Sequence, residues 1–208
     1  MRQIKSIWQR PVAGIVLALI GSFALSTAAY AETWDWKWPS RQFTPKEQIF
    51  VDKVYQVALE NKGKWSIEEA GKPYSGVTIT VAADASTEAD APQLYDKEFQ
   101  EKTGIKVIWE QNPFQEHKTK FYMDFAAGTG RYDLVWVPFD DIAAVTAKKY
   151  VQPINRFLTD PKLLDPEIDL GDYSQKLWIN TSWFGDPVYR QVYGFPCEYP
   201  TRILWYRK

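Results

Sequence analysis

The chain has 208 residues, 16% of them aromatic, with 25 Lys and Arg against 26 Asp and Glu and one histidine. That near-neutral balance excludes the strongly basic surface that nucleic acid or an anionic membrane would need. One cysteine, Cys197, rules out an internal disulfide, and one histidine, His117, removes the usual metal and catalytic-triad constellations.

The first residues read as an export leader. Arg2, Lys5 and Arg10 form a basic start, residues 12–25 form an apolar stretch, and Ala29-Tyr30-Ala31 offers a small-x-small cleavage site before Glu32. The apolar stretch is shorter than the roughly 20 residues of a spanning helix, so cleavage after Ala31 and a soluble, periplasmic product are expected. No cysteine adjoins the cleavage site, which argues against a lipid anchor. Removing the leader takes the formal net charge from −1 to −4 and leaves nine of the ten tryptophans. Such a set packs cores, and aromatic rings also stack on the C–H faces of sugars. The remaining length suffices for one domain of the usual 100–200 or so residues.

Residues 32–43, with Trp34, Trp36, Trp38 and Pro39, read as an irregular lead-in. A helix follows: Thr44 suits the N-cap, Pro45 the first turn, and Glu47 completes a capping box. Ile49, Phe50, Val54, Val57 and Ala58 recur at helical spacing, and Gly63 supplies the stop. Residues 62–76 are polar and glycine-dotted and read as a linker. Strands and helices then alternate. Residues 77–83 form a strand by β-branched content, and residues 92–102 a helix with Leu94, Tyr95 and Phe99 inward, ended near Gly104. Residues 105–110 form a second strand, residues 114–127 a helix carrying Phe121, Tyr122 and Phe125, and residues 134–137 a third strand. That last run is too short for a helix and too apolar for a half-exposed strand, so a buried parallel strand is expected. Asp140 or Asp141 can cap a helix reaching about Lys149. Further on, residues 173–183 read as a helix, and residues 188–193 and 202–207 as strands on either side of Gly194-Phe195-Pro196. The β-α-β-α-β-α order predicts an α/β fold with a mostly parallel sheet flanked by helices.

Three loops should converge at the carboxyl ends of the strands, where open α/β sheets bind ligands. Asp84, Ser86 and Glu88 follow the first strand; they suit sugar hydroxyls, and Ser86, Thr87 and Glu88 equally suit a helix start. Phe139, Asp140 and Asp141 follow the third strand, one Asp to cap the helix and the other to face the cleft. Glu198 and Tyr199 follow the Gly-Phe-Pro turn as an acceptor and a stacking ring, or as ordinary solvated loop. Cys197 reads as a small filler rather than a nucleophile.

Four stretches carry a family likeness: residues 94–107 (LYDKEFQEKTGIKV), 127–135 (AGTGRYDLV), 149–154 (KYVQPI), and 192–196 (VYGFP) with 202–208 (RILWYRK). Their order and spacing, together with the leader, resemble the extracellular solute-binding proteins of ABC importers, carbohydrate-type branch. The resemblance implies a periplasmic-binding-protein-like clamshell, of which residues 77–208 supply mainly the first lobe up to the hinge. Residues 1–31 would be the signal peptide and residues 32–76 an N-terminal extension with one helix. The chain is then expected to be truncated, without its second lobe. The implied partners are a small-molecule solute, carbohydrate by class, and the ABC permease membrane subunits. No nucleic acid, cofactor or metal is expected, and the chain should act as a monomer and not as an enzyme. Two other classes compete. A secreted glycoside hydrolase needs two carboxylates at a set separation, and Asp140 with Glu198 would be such a pair. An adhesive domain would use the tryptophan-rich lead-in.

Overall fold

The computed structural model describes residues 43–186 and 188–197. The leader, the tryptophans of the lead-in, the strand expected over 202–207, and Glu198 and Tyr199 lie outside the described residues.

Helix α1 (Pro45–Asn61) begins as its sequence dictates. The Thr44 side chain accepts from the Glu47 N–H, and the Glu47 carboxylate takes the Thr44 N–H at 2.9 Å, which closes the capping box. Phe50, Val51, Val54, Val57 and Ala58 are buried, whereas Ile49 stands 68% exposed, one position off the inward stripe. The stretch expected as a linker is structured. Ser66 caps a five-residue helix, α2 (Ile67–Gly71), by accepting from the Glu69 N–H. A 3-10 turn, Lys72–Tyr74, follows. The S-x-x-E signature at residues 66–69 was present in the sequence, hidden by the polar surroundings.

Strands β1 (Thr78–Asp84), β2 (Lys106–Asn112) and β3 (Leu134–Val135) form one parallel sheet in the order β2-β1-β3. Between β1 and β2 lie α3 (Thr87–Gln93) and α4 (Asp96–Thr103), where a single helix over 92–102 was expected. Ser86 caps α3 early, and Pro92 in its last turn brings no N–H, so the chain breaks at Leu94 and Tyr95. The break turns Leu94 outward, 82% exposed, and Tyr95 to 42%, leaving Phe99 as the inward residue. Gly104 ends α4 in the left-handed conformation (φ 72°), as the sequence indicated. Gly71 is required for another reason: a Cβ there would lie 2.6 Å from the Thr103 Cβ.

Helix α5 (Phe114–Ala127) spans the predicted residues. After it, Gly128 and Gly130 both take positive φ, and the Asp124 carboxylate receives the Thr129 hydroxyl and the Arg131 N–H. That tight turn feeds β3, which pairs over two residues rather than four and is half-buried rather than buried. The reason lies in what it borders: residues 134–137 line an open cavity, although Leu134 also packs against the main core and Val135 and Val137 against the smaller one. Helix α6 (Ile142–Ala147), the short α7 (Asn155–Leu158), α8 (Gln175–Ser182) and an antiparallel hairpin complete the order. The hairpin strands are β4 (Trp183–Asp186) and β5 (Tyr189–Val192). Trp183 was expected to end a helix, and it opens β4 instead.

Parallel register sorts the two faces. Ile79 with Val107, and Val81 with Trp109 and Leu134, share one side; Ala82 and Val135 share the other. On the first side lies the main core, in which α1 packs with Ile79, Phe99, Trp178 and Trp183. Trp178 stacks on Phe195 (5.8 Å, 12°) and meets Trp183 edge-on at 5.4 Å. The second side holds a smaller core of Ala82, Phe121, Tyr132 and Val145. Helices thus flank a parallel sheet, as the α/β reading required. Among the described residues, no helix is long and apolar enough to cross a membrane.

Candidate functional site

A cavity of about 560 Å³ opens on the first face of the sheet and reaches the carboxyl ends of β1 and β3. This volume lies within the roughly 300–1,000 Å³ of small-molecule sites. Its floor is Val81, Val107, Trp109 and Leu134, whose common orientation follows from the register. Trp136, Val137, Pro138, Phe139 and Asp140 form the wall beyond β3, and Leu177, Thr181 and Ser182 of α8 also line the cavity. Residues 193–197 and Gln152 complete the lining named here.

Backbone bonds hold the β3 wall in place. The Trp136 N–H donates to the Ala82 carbonyl at 2.8 Å, and the Asp133 N–H to the Thr80 carbonyl at 2.9 Å. The Asp133 carboxylate accepts the Thr80 N–H in return, also at 2.9 Å. From behind the sheet, His117 Nε2–H donates to the Trp136 carbonyl at 2.7 Å. His117 is 1% exposed and its ring lies against Phe121 at 5.0 Å, so the sole histidine is a buried brace for the wall. Sequence reading gave it no role, because a lone histidine carries no spacing signal.

Of the residues expected in the first two loops, Asp84, Phe139 and Asp140 line the cavity. Ser86, Glu88 and Asp141 are not lining residues. Ser86 caps α3 by accepting from the Ala89 N–H at 3.3 Å, the helix-start alternative read from the sequence, and Glu88 is exposed beside it. Asp141 occupies the N-cap position of α6 without a side-chain capping bond. Its carboxylate turns to Lys118 Nζ at 2.6 Å and to the Tyr122 hydroxyl, which donates at 3.0 Å. Burial first, then that bond and the nearby carboxylate charges, push the Tyr122 phenol up to about 12.

Two lining groups escaped the sequence reading. Trp109 projects from β2 and donates its Nε1–H to Asp96 Oδ2 at 2.8 Å. Burial pushes the Asp96 carboxyl above its ordinary value, and the Trp109 bond only partly offsets this. Odd-numbered positions of residues 105–109 carried the clue, since they share the side on which Val107 faces inward. The tryptophan excess therefore divides: Trp178 and Trp183 are core, and Trp109 and Trp136 face the cavity. Among the described residues, no group of three or more His, Cys, Asp or Glu is gathered to hold a metal ion.

The arrangement is an aromatic-walled, carboxylate-bearing cleft at strand carboxyl ends, suited to binding a small solute. Comparisons with known proteins place the chain in a solute-binding family. The erythritol/L-threitol-binding protein of Mycolicibacterium smegmatis is 27% identical over 138 residues, 64% of this chain and 29% of that protein. The chain thus spans less than a third of the length of this relative. No solved structure shows a significant match. The family model described as bacterial extracellular solute-binding protein matches residues 84–208, which run from the end of β1 through both strand-end loops. With more than half its length in that match, the chain belongs to the bacterial extracellular solute-binding proteins, an exported family whose role is to bind solutes.

Proposed function

We propose that the protein is the substrate-binding component of an ABC importer, capturing a sugar or polyol in the periplasm and delivering it to a membrane permease. The observation that carries this reading is the cavity itself, which Trp109, Trp136 and Phe139 line together with Asp84 and Asp140. The polyol named for the Mycolicibacterium relative supports the ligand class. Sugar C–H faces stack on the rings, and hydroxyls donate to the carboxylates. A hydrogen bond to a charged group contributes roughly 1.5–3 kcal/mol, so three or four with stacking reach micromolar affinity.

In this reading residues 1–31 are the cleaved leader, residues 32–76 the extension, and residues 77–208 the first lobe of a clamshell whose closure the permease reads. Ser86 and Asp141 cap the helices that follow the two lining strand ends, and Glu88 lies in the first turn of α3, so the proposed solute contacts include them. Glu198 and Tyr199 follow Cys197, which lines the cavity, so the proposed solute contacts include them. The test is calorimetric titration of the chain from Glu32 with a panel of hexoses, pentoses and tetritols, run beside an assay with chromogenic glycosides. Saturable one-site binding without turnover is expected. Turnover abolished by Glu198→Gln would replace this reading with the hydrolase.

A further inference from the structure

Strand β3 pairs with β1 over only two residues, Leu134 and Val135, yet residues 136–140 beyond it form a cavity wall. A wall past the end of its ladder needs other restraints, because segments with few backbone bonds open locally at little cost. Helix α5 supplies them from one face. Lys118 and Tyr122 stand one turn apart, at i and i+4, so both side chains reach the same spot. That spot is Asp141. Lys118 Nζ lies 2.6 Å from Oδ2, and the Tyr122 hydroxyl donates to Oδ1 at 3.0 Å, so each carboxylate oxygen has its own partner. The ion pair is mostly shielded, its side chains 25% and 16% exposed, which sets it above an open surface pair. Burial first, then the Asp141 bond, push the Tyr122 phenol up to about 12, so it stays a donor at physiological pH.

Asp141 is also the joint of the local backbone. Its N–H closes a turn onto the Pro138 carbonyl at 2.9 Å, and its carbonyl takes the Val145 N–H at 3.0 Å as α6 begins. Between the two ends of that turn sit Phe139 and Asp140, both lining the cavity. We infer that Lys118 and Tyr122 are positioning residues: by holding Asp141, they fix the turn that presents Phe139 and Asp140 to the solute. This rests on the solute-binding reading above and gives Asp141 an anchoring duty beside the contact proposed there. The Lys118 ammonium lies 5.7 Å from the ring centroid of Phe114, another lining residue, so the clamp sits directly behind the site.

The experiment compares the unaltered chain with Lys118→Met, Lys118→Arg, Tyr122→Phe and the double variant Lys118→Met with Tyr122→Phe. Met keeps the stem and Phe keeps the ring, and thermal melts control for folding. Amide exchange read by mass spectrometry follows the turn without solute, and calorimetry with the hexose, pentose and tetritol panel follows binding. Lys118→Met and Tyr122→Phe should each speed exchange over residues 139–145 and leave β1 and β2 as protected as before. The double variant should bind about tenfold more weakly, the size of one weakened hydrogen bond between solute and Asp140. Lys118→Arg should restore native exchange and affinity, since its guanidinium keeps a charge-assisted bond to Asp141. Native exchange in the double variant overturns the inference. Faster exchange with native affinity also overturns it and leaves the solute-binding reading standing. An affinity loss matched by a lower melting midpoint, and not restored by Lys118→Arg, marks general destabilisation and overturns it too. A chain that binds none of the panel removes the sugar reading alone, and the exchange rates then decide the clamp.

Discussion

Glu47 and Arg190, 143 positions apart in the chain, meet in a two-pronged ion pair. Arg190 Nε lies 2.8 Å from Oε1 and Nη2 lies 2.9 Å from Oε2. The same carboxylate accepts the backbone N–H groups of Thr44 and Arg190, and Glu47 is fully buried. One side chain therefore starts α1, secures β5 and fixes that helix against the hairpin that precedes lining residues 193–197.

Removing either partner should leave a charge buried without compensation. Glu47→Ala is expected to cost about 3–5 kcal/mol of unfolding free energy, read from urea denaturation, because the Arg190 guanidinium loses its counter-charge. A loss under 1 kcal/mol would mean that the pair contributes no more than an exposed one.

The pair also sets a pH dependence. Burial alone would raise the Glu47 carboxyl, but the Arg190 side-chain bond, the backbone bonds and the Arg190 charge together hold it below the ordinary 4.5. Because the folded value is the lower one, this stability is complete above 4.5 and is lost as pH falls through the depressed native value. Glu47→Gln should flatten that part of the acid limb in denaturation midpoints measured from pH 6 to pH 2. An unchanged slope would assign the acid sensitivity to other carboxylates.

At the cavity wall, His117→Phe keeps an aromatic ring in the buried slot and strips the Trp136 carbonyl of its donor. A loss of roughly 1–3 kcal/mol is expected for that orphaned acceptor. Solute affinity should weaken with it, since Trp136 and the following wall depend on this brace. Equal stability and affinity in the variant would show that the Ala82 backbone bond holds the wall unaided.

Gly71→Ala tests the contact between α2 and α4. The added methyl would fall within 2.9 Å of the Thr103 Cα as well as its side chain, so the neighbour's backbone must move. A destabilisation of about 1–3 kcal/mol is expected from thermal melts, and pairing it with Thr103→Ala should recover part of the loss. No recovery would place the strain elsewhere.

The parallel sheet and the helices over 45–61 and 114–127 were legible because their signals are local: a β-branched run, a 3.6-residue apolar repeat, a capping box at Thr44 and Glu47. The strand-end loops were legible too, since chain direction in a parallel sheet decides where Asp84 and Asp140 fall. What escaped depends on distant partners. The brace from His117 to Trp136, the Asp96 acceptor for Trp109, and the bond from Glu47 to Arg190 are side-chain meetings that no spacing encodes. The half-buried state of residues 134–137 also misled, because an apolar run reads the same whether it is packed on all sides or also borders an open cavity.

The most direct measurement is a crystal structure of the chain with the tightest-binding solute of the calorimetric panel. Density for the solute is expected between Trp109 and Trp136, with its polar groups on Asp84 and Asp140, and the Trp136 carbonyl still receiving the His117 bond. A solute seated away from these residues, with the cavity left to solvent, would contradict the account.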